Sequence, residues 1–231
     1  MTVFSAEQLQ ALQLFSAIKL DYCVQLLDRH LEASYGAEQV FVMEQYWGET
    51  VFLLCSGMAK VRTYTADGDE VVMSVLGAGD VFGEMAVLDA APRSADVVAL
   101  TPVRLLKLRA APFVALLGKE VGFALALAQL EASRLRDLNQ RFAIQTSDAT
   151  TRLLNALAYL ARKSSVADDS KGEIPSLAQK ELGLLAGLSR ETASRILSKL
   201  RSRGVLEEVD GCLRLLDLQP LIKRGLLPPG S

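Results

Sequence analysis

The spacing of apolar residues predicts helices first and then strands along the first half of the chain. In residues 4–36 the apolar positions recur at intervals of three and four, which predicts two or three short helices. These positions are Leu9, Leu12, Phe15, Val24, Leu27 and Leu31. From residue 40 to residue 108 short β-rich runs alternate with glycine-containing turns, which predicts a compact all-β roll or barrel. The runs are residues 51–55, 60–64, 70–75, 94–100 and 103–108, and Asp67-Gly68 between two of them indicates a hairpin.

The helical period returns at Pro112 and continues to about Thr146. Within this stretch two sets of residues repeat every seven positions, as in a short and imperfect coiled-coil seam. One set is Ala128, Leu135 and Phe142, and the other is Glu131, Leu138 and Gln145. The pattern fits a two-stranded dimer helix, and it fits equally an amphipathic helix that packs against its own domain.

The last third of the chain has the layout of a winged helix-turn-helix. After a polar break, Asp148 can cap a helix over residues 149–162, and a polar loop is expected over residues 164–172. Two helices joined by a tight turn are expected over residues 177–186 and 190–201. A hairpin over residues 205–216, turning at Asp210-Gly211, completes the layout.

Local residue chemistry supports the turn between these two helices. Gly187 can adopt a positive φ without steric cost. Ser189 is placed to cap the second helix, and Glu191 is favourable in its first turn. The start of the first helix is less clear, because Ser176, with Gln179 three residues later, can form a capping box slightly earlier in the chain.

The second helix divides into an apolar face and a polar face when it is drawn at about 100° per residue. The apolar face holds Ala193, Ile196, Leu197 and Leu200, and the polar face holds Arg190, Glu191, Ser194, Arg195 and Ser198. Small residues let a helix enter the major groove of DNA, where arginine can contact guanine O6 and N7 and glutamate can accept from cytosine N4. The alternative is a solvated face whose glutamate only complements the helix dipole.

These residues carry a resemblance to a known family. The segment Leu188-Ser-Arg-Glu-Thr-Ala-Ser-Arg-Ile-Leu197 resembles the recognition helix of the cyclic-AMP receptor protein/FNR superfamily, and Gln179-Lys-Glu-Leu-Gly-Leu-Leu-Ala-Gly187 resembles the helix before it. The resemblance implies that Arg190, Glu191 and Arg195 read bases, whereas Ser189 and Thr192 hold phosphates. The expected DNA-binding set is Gln179, Lys180, Ser189, Arg190, Glu191, Thr192 and Arg195. Ala178 departs from the Thr or Ser cap that the family usually has.

The resemblance extends to the β-rich half. Gly79-Asp-Val-Phe-Gly-Glu-Met-Ala-Val-Leu88 and Pro92-Arg-Ser-Ala95 are similar to the phosphate-binding cassette of cyclic-nucleotide-binding domains. In such a cassette Arg93 and Ser94 would contact phosphate, and Glu84 would accept the ribose 2′-hydroxyl. The alternative is a Glu84–Arg93 ion pair that only holds a loop. The expected effector-binding set is Gly83, Glu84, Met85, Ala86, Arg93, Ser94, Ala95 and Asp137.

Two positions depart from the family pattern. Cyclic-AMP-binding members carry a Thr-Ser pair on the dimer helix that contacts adenine, and Asp137 and Leu138 stand there in this chain. Asp137 can accept a hydrogen bond from an adenine amino group, whereas Leu138 cannot form one. Gln45 stands where the roll usually has a tight-turn glycine. The resemblance therefore implies a cyclic nucleotide, cyclic AMP first, as a possible effector but does not fix it.

Composition excludes several other classes of protein. Residues 150–231 carry 13 Lys/Arg and 9 Asp/Glu, a net charge of +4, and residues 1–149 carry 12 and 18, a net charge of −6. This asymmetry fits a C-terminal part that meets a polyanion. No apolar run approaches the length of about 18 residues that spans a membrane. Residues 1–10 lack a basic region followed by an apolar core, so we expect no signal peptide. Three dispersed cysteines and the lone His30 offer no disulfide framework, metal centre or catalytic triad.

We therefore expect an α+β protein of three parts: a cyclic-nucleotide-binding-type β-roll (residues 1–118), a long dimerisation helix (119–146) and a winged helix-turn-helix (147–231). The expected function is that of a cytoplasmic, homodimeric transcription regulator without a cofactor or membrane contact. Its expected partners are RNA polymerase and double-stranded DNA with an inverted repeat of TGTGA-like half-sites. The alternatives are a ligand-independent regulator with a vestigial pocket, a purely ligand-binding regulatory module, which would lack the winged helix, and an enzyme, for which no catalytic constellation is found.

Overall fold

Two short helices open the part of the chain described by the computed structural model, which covers residues 4–164, 173–175 and 177–228. They are α1 (Ala6–Ala11) and α2 (Leu20–Leu27). Ser5 and Gln8 form a capping box at the start of α1, with Ser5 Oγ accepting from Gln8 N at 3.2 Å. The helical prediction for residues 4–36 is wrong at its end, because Leu31–Tyr35 form a strand. Antiparallel pairing with Val103–Lys107 outweighs the helical spacing there.

Eight strands between residues 31 and 109 form two four-stranded antiparallel sheets, ordered β1-β8-β3-β6 and β2-β7-β4-β5. The strands are β1 (Leu31–Tyr35), β2 (Val40–Val42), β3 (Thr50–Ser56), β4 (Ala59–Tyr64), β5 (Glu70–Leu76), β6 (Val81–Phe82), β7 (Asp96–Ala99) and β8 (Val103–Arg109). All five predicted runs are strands, and the predicted β4–β5 hairpin forms with Gly68 at a φ of 85°. The β-roll prediction is confirmed. The helix α3 (Glu84–Leu88) interrupts it between β6 and β7.

The predicted helical stretch after the roll is two helices rather than one. They are α4 (Ala110–Leu117) and α5 (Val121–Ile144), bent by 106° across residues 118–120. The bend lets Phe113 and Phe123 meet edge to face, with ring centroids 5.1 Å apart, in a core shared with α1 and α2. No single helix in the described ranges is long and apolar enough to span a membrane, and only the bent α4/α5 pair together meets that test.

The C-terminal part is a winged helix-turn-helix, as predicted. Its elements are α6 (Ala149–Ser164), β9 (Ile174–Pro175), α7 (Gln179–Ala186), α8 (Arg190–Ser202), β10 (Leu206–Val209), β11 (Cys212–Leu215) and α9 (Gln219–Ile222). Asp148 Oδ1 accepts from the backbone N–H of Thr150 and Thr151, which confirms the expected cap of α6. Helix α7 begins at Gln179, two residues later than expected, and Ala178 provides no side-chain cap. Ser176 and loop residues 165–172 lie outside the described residues.

The β-roll and the C-terminal part share an apolar core. Met58 and Val75 of the roll belong to the same buried cluster as Leu153, Leu157 and Leu182. Three polar contacts reinforce this junction: Tyr159 Oη with Val75 N at 3.2 Å, Lys163 with Asp80 at 2.9 Å, and Lys60 with Glu181 at 2.6 Å. The first helices of the C-terminal part, α6 and α7, therefore rest directly on β4, β5 and the turn after β5.

Candidate functional site

A cavity of about 460 Å³ lies between the β2-β7-β4-β5 sheet, α3, α5 and α6. The structure brings all eight residues of the expected effector-binding set to its wall: Gly83, Glu84, Met85, Ala86, Arg93, Ser94, Ala95 and Asp137. The last of these comes from α5, more than 40 residues beyond the cassette, so α5 and the cassette face one space. A volume in this range suits a small organic ligand.

Gly83 is required by the local geometry of the cassette. Its φ of 78° is left-handed, and a Cβ built on it would lie 2.6 Å from Arg93 Nη1 and 3.0 Å from the Phe52 ring. Any other residue would therefore strain the backbone and displace the arginine. Glycine at this position lets β6 turn sharply into α3 while Arg93 packs beneath it.

Arg93 is buried, with only 6% of its surface exposed, and its partners differ from those expected. Its guanidinium donates to the carbonyl oxygens of Gly83 (2.6 Å), Gly48 (3.2 Å) and Thr50 (2.8 Å). The alternative Glu84–Arg93 ion pair is not formed. Burial lowers the pKa of Arg93 from its ordinary value, and the nearby Glu84 carboxylate partly offsets this effect. Three of its five N–H groups are thus used by the protein itself.

Glu84 pairs with an arginine that the sequence reasoning missed. Arg134 Nη1 on α5 lies 2.9 Å from Glu84 Oε1 and 2.9 Å from Glu131 Oε1, and the same guanidinium donates to the Val81 carbonyl. Glu84 is only 2% exposed, and its second oxygen, Oε2, is buried without a hydrogen-bond partner among the described residues. Burial raises the pKa of Glu84 to about 7, against the opposing effect of Arg134.

The opposite end of the cavity is formed by α5 and α6. Asp137 and Arg141 of α5 and Tyr159 and Lys163 of α6 line it. Arg141 donates to the carbonyl oxygens of Val72, at 3.2 Å, and of Met73 on the edge strand β5, and it lies over the Tyr159 ring. Sequence reasoning did not assign these three residues to the site, because contacts between distant segments bring them there. Arg141 is held by β5, and Tyr159 and Lys163 come with the packing of α6 against the roll.

The predicted polar face of the second helix is confirmed on α8. Arg190, Glu191 and Arg195 are exposed, whereas Ala193, Leu197 and Leu200 are buried. Ser189 caps the helix by accepting from Thr192 N at 3.2 Å, and Gly187 turns the chain with a φ of 61°. Gln179 is half-buried and Lys180 exposed at the start of α7. Arg190 and Arg195 are therefore presented to solvent, whereas Arg201 near the end of α8 pairs with Glu208 of β10 at 2.6 Å.

Comparisons with known proteins identify both the β-roll and the C-terminal part. Residues 32–120 match the cyclic nucleotide-binding domain, and residues 151–224 match the Crp-like helix-turn-helix domain. The cyclic AMP receptor protein of Thermus thermophilus is 34% identical over 160 residues, which cover 69% of this chain and 71% of that protein. This chain belongs to the cyclic AMP receptor protein/FNR family. It is a DNA-binding transcription regulator that carries a cyclic nucleotide-binding domain, and the family is one of regulators rather than of enzymes.

More distant relatives share the fold of this family member. A CRP-like cAMP-activated global transcriptional regulator of Mycobacterium tuberculosis is 25% identical over 180 residues, covering 77% of this chain and 80% of the relative. The structure of FixK2 from Bradyrhizobium japonicum superposes with a TM-score of 0.72 at 23% identity, covering 84% of this chain and 96% of FixK2. The superposition shows that this chain and FixK2 share their fold.

The two departures from the family pattern can now be located. Gln45, at the position of the usual glycine, adopts a left-handed φ of 66°, so the tight turn is kept without glycine. Asp137 and Leu138, at the positions of the family's Thr-Ser pair, both line the cavity. The first departure leaves the backbone intact, whereas the second changes the chemistry that a bound ligand would meet.

Proposed function

We propose that this regulator is a homodimer joined through α5. Leu135 and Phe142, two residues of the predicted seam, are 57% and 74% exposed, and Leu125 and Val121 extend the same exposed stripe towards the start of the helix. The other face of α5 is used by the chain itself, where Phe123 and Leu127 are buried in the roll. A helix with one apolar face buried and a second exposed at heptad spacing is suited to pair with another copy.

We propose a cyclic nucleotide as the effector, held at the Glu84/Arg93 end of the cavity. The observation that carries this proposal is the buried Glu84 carboxylate, whose Oε2 has no hydrogen-bond partner among the described residues while it faces a cavity that also contains Arg93 and Ser94. A ribose hydroxyl would supply the missing donor, and Arg93 and Ser94 would contact the phosphate. Cyclic AMP, the effector in the names of two relatives, is the first nucleotide to test.

A second candidate is a regulator of the same family whose cavity no longer binds a ligand. It is favoured by the contacts of the two charged residues, since Arg93 is held by three carbonyl oxygens and Glu84 Oε1 by Arg134 without a ligand. The unpartnered Glu84 Oε2 argues against this candidate. A buried acceptor without a donor is destabilising, and a hydroxyl of a bound ligand would satisfy it.

For DNA, we propose that Arg190, Glu191 and Arg195 read bases and that Ser189, Thr192, Gln179 and Lys180 contact the backbone. A dimer presents α8 twice, so the target is an inverted repeat, and family likeness suggests TGTGA-like half-sites one helical turn apart. The proposed domains are a sensor over residues 1–118, a dimer helix over 119–146 and a DNA-binding domain over 147–231. The proposed setting is the cytoplasm, with RNA polymerase as a further partner.

Selection from random DNA tests the base-reading assignment. Glu191→Ala removes an acceptor for cytosine N4, worth about 1–3 kcal/mol of discrimination, so the selected motif should relax at one base pair of each half-site. Lys180→Ala is the matched control: it should lower affinity for all sequences and reduce the salt slope by about one. An unchanged motif with Glu191→Ala would show that Glu191 only complements the helix dipole.

A further inference from the structure

The residues that line the far end of the cavity indicate which base the ligand carries. Arg134, Asp137 and Arg141 lie on one side of α5 at intervals of three and four residues, and all three line the cavity. Arg134 marks the cassette end through its contact with Glu84, and Arg141 marks the opposite end beside Tyr159. Seven residues of helix separate these ends by about 10 Å. A nucleotide with its phosphate and ribose at the cassette would therefore place its base beside Asp137 and Arg141.

Asp137 can act there only as an acceptor. It forms an ion pair with Arg162 of α6, whose Nη2 lies 3.6 Å from Asp137 Oδ1, a distance too long for a hydrogen bond, so that both carboxylate oxygens can still accept one. A carboxylate presents two acceptor oxygens and no donor. The base edge that faces Asp137 must therefore supply N–H groups, and two adjacent ones would match both oxygens.

Arg141 lines the same wall one helical turn away and can only donate. Each of its two Nη atoms gives one N–H to β5 and keeps a second, while its Nε is buried and has no hydrogen-bond partner among the described residues. Side chains four residues apart on a helix lie about 6 Å apart. The base must therefore present an acceptor next to its paired donors.

We infer that the base read by this cavity is guanine, so that the effector is a guanine cyclic nucleotide rather than cyclic AMP; this inference rests on the proposed cyclic-nucleotide function. Guanine carries N1–H and N2–H₂ side by side, which suit Asp137, and the O6 and N7 acceptors beyond them, which suit Arg141. Adenine reverses both contacts: its N1 lone pair would face the carboxylate, and its N6–H₂ would face the arginine. Leu135 and Leu138, also in the wall, supply apolar contact for either base.

Calorimetric titration of the purified full-length protein with cyclic GMP, cyclic AMP and cyclic di-GMP tests this inference. Cyclic GMP should bind at least about tenfold more tightly than cyclic AMP, as a bidentate contact to a base edge allows. Cyclic AMP binding as tightly or more tightly would overturn the guanine assignment and leave the proposed function standing. If none of the three nucleotides binds, both the guanine assignment and the proposed cyclic-nucleotide function are overturned. Cyclic di-GMP binding more tightly than cyclic GMP would support guanine reading and identify the ligand as a dinucleotide.

The variant Asp137→Asn tests the role of the carboxylate. Its amide both donates and accepts, which suits adenine N1 and N6, so the ratio of the two dissociation constants should shift towards cyclic AMP by about tenfold or more. The matched control, Asp21→Asn on the exposed surface of α2, should leave the ratio unchanged. Equal weakening of both nucleotides by Asp137→Asn would show a structural role only and overturn the assignment. The wild-type ratio decides the inference even where the variant folds poorly.

Discussion

The buried Glu84 carboxylate predicts how the stability of this regulator varies with pH. Glu84 has an ordinary pKa of 4.5, and burial raises it to about 7 in the folded protein. At about 1.4 kcal/mol per pH unit, this rise corresponds to about 3 kcal/mol. Between pH 4.5 and 7 the folded state binds more protons at this site than the unfolded state. The contribution of Glu84 to stability is therefore fully present below pH 4.5 and lost as the pH rises through about 7.

The variant Glu84→Gln isolates this effect, because glutamine has a similar shape and does not titrate. Urea unfolding of both proteins between pH 5 and pH 8 measures the difference in their free energies of unfolding. Wild type should lose about 2–3 kcal/mol relative to the variant across this range, since most of the titration falls within it. A difference that stays constant with pH would refute the reasoning, and it would mean that Arg134 keeps Glu84 ionised throughout.

Three further changes have defined outcomes. Replacing Leu135 and Phe142 by lysine should give monomers in analytical ultracentrifugation that lose DNA affinity, and a wild-type monomer at micromolar concentration would contradict the proposed dimer. Lys60→Ala leaves the Glu181 carboxylate without its buried cation, so urea unfolding should show a loss of about 3 kcal/mol; an unchanged midpoint would mean that the pair is dispensable. Arg93→Ala should lower stability as well as effector affinity, because three carbonyl oxygens lose their donor; weaker binding at unchanged stability, measured by calorimetry and urea unfolding, would count against this.

Features that depend on neighbours in sequence could be predicted well. The cap of α8 by Ser189, the turn at Gly187 and the hairpin at Asp210-Gly211 all follow from residues within a few positions of one another. The cassette was located through its resemblance to a family motif, which is recognisable because Gly83 and Arg93 lie in one short segment. Such features are fixed by backbone preferences and local hydrogen bonds, which the sequence displays directly.

Features that depend on distant segments could not be predicted. Residues 31–35 have helical spacing, but they are drawn into a sheet by a strand more than 60 positions later. The partner of Glu84 is Arg134, 50 positions away, rather than the nearby Arg93. The partners of Arg93 are backbone carbonyl oxygens, which every residue carries and no sequence pattern distinguishes. The sequence signal for the Arg134 contact is the position of this arginine on α5, three residues after Glu131.

The domain junction is a further feature that the local pattern did not show. Tyr159 and Lys163 belong to the helix-turn-helix match, yet both line the effector cavity. A ligand in this cavity can therefore contact the DNA-binding part directly as well as through α5. Because coupling between two sites is reciprocal, DNA binding should then raise effector affinity by the same factor as the effector raises DNA affinity.

The most direct test of effector-controlled DNA binding is the affinity for a labelled inverted repeat of TGTGA half-sites, measured by fluorescence anisotropy at fixed salt. The measurement is made without ligand and with saturating cyclic GMP or cyclic AMP. At least one nucleotide should tighten binding by about tenfold or more, which is typical of an allosteric coupling free energy, while a scrambled duplex should show no such change. The same affinity with and without both nucleotides would contradict the account and favour a regulator whose cavity no longer binds a ligand.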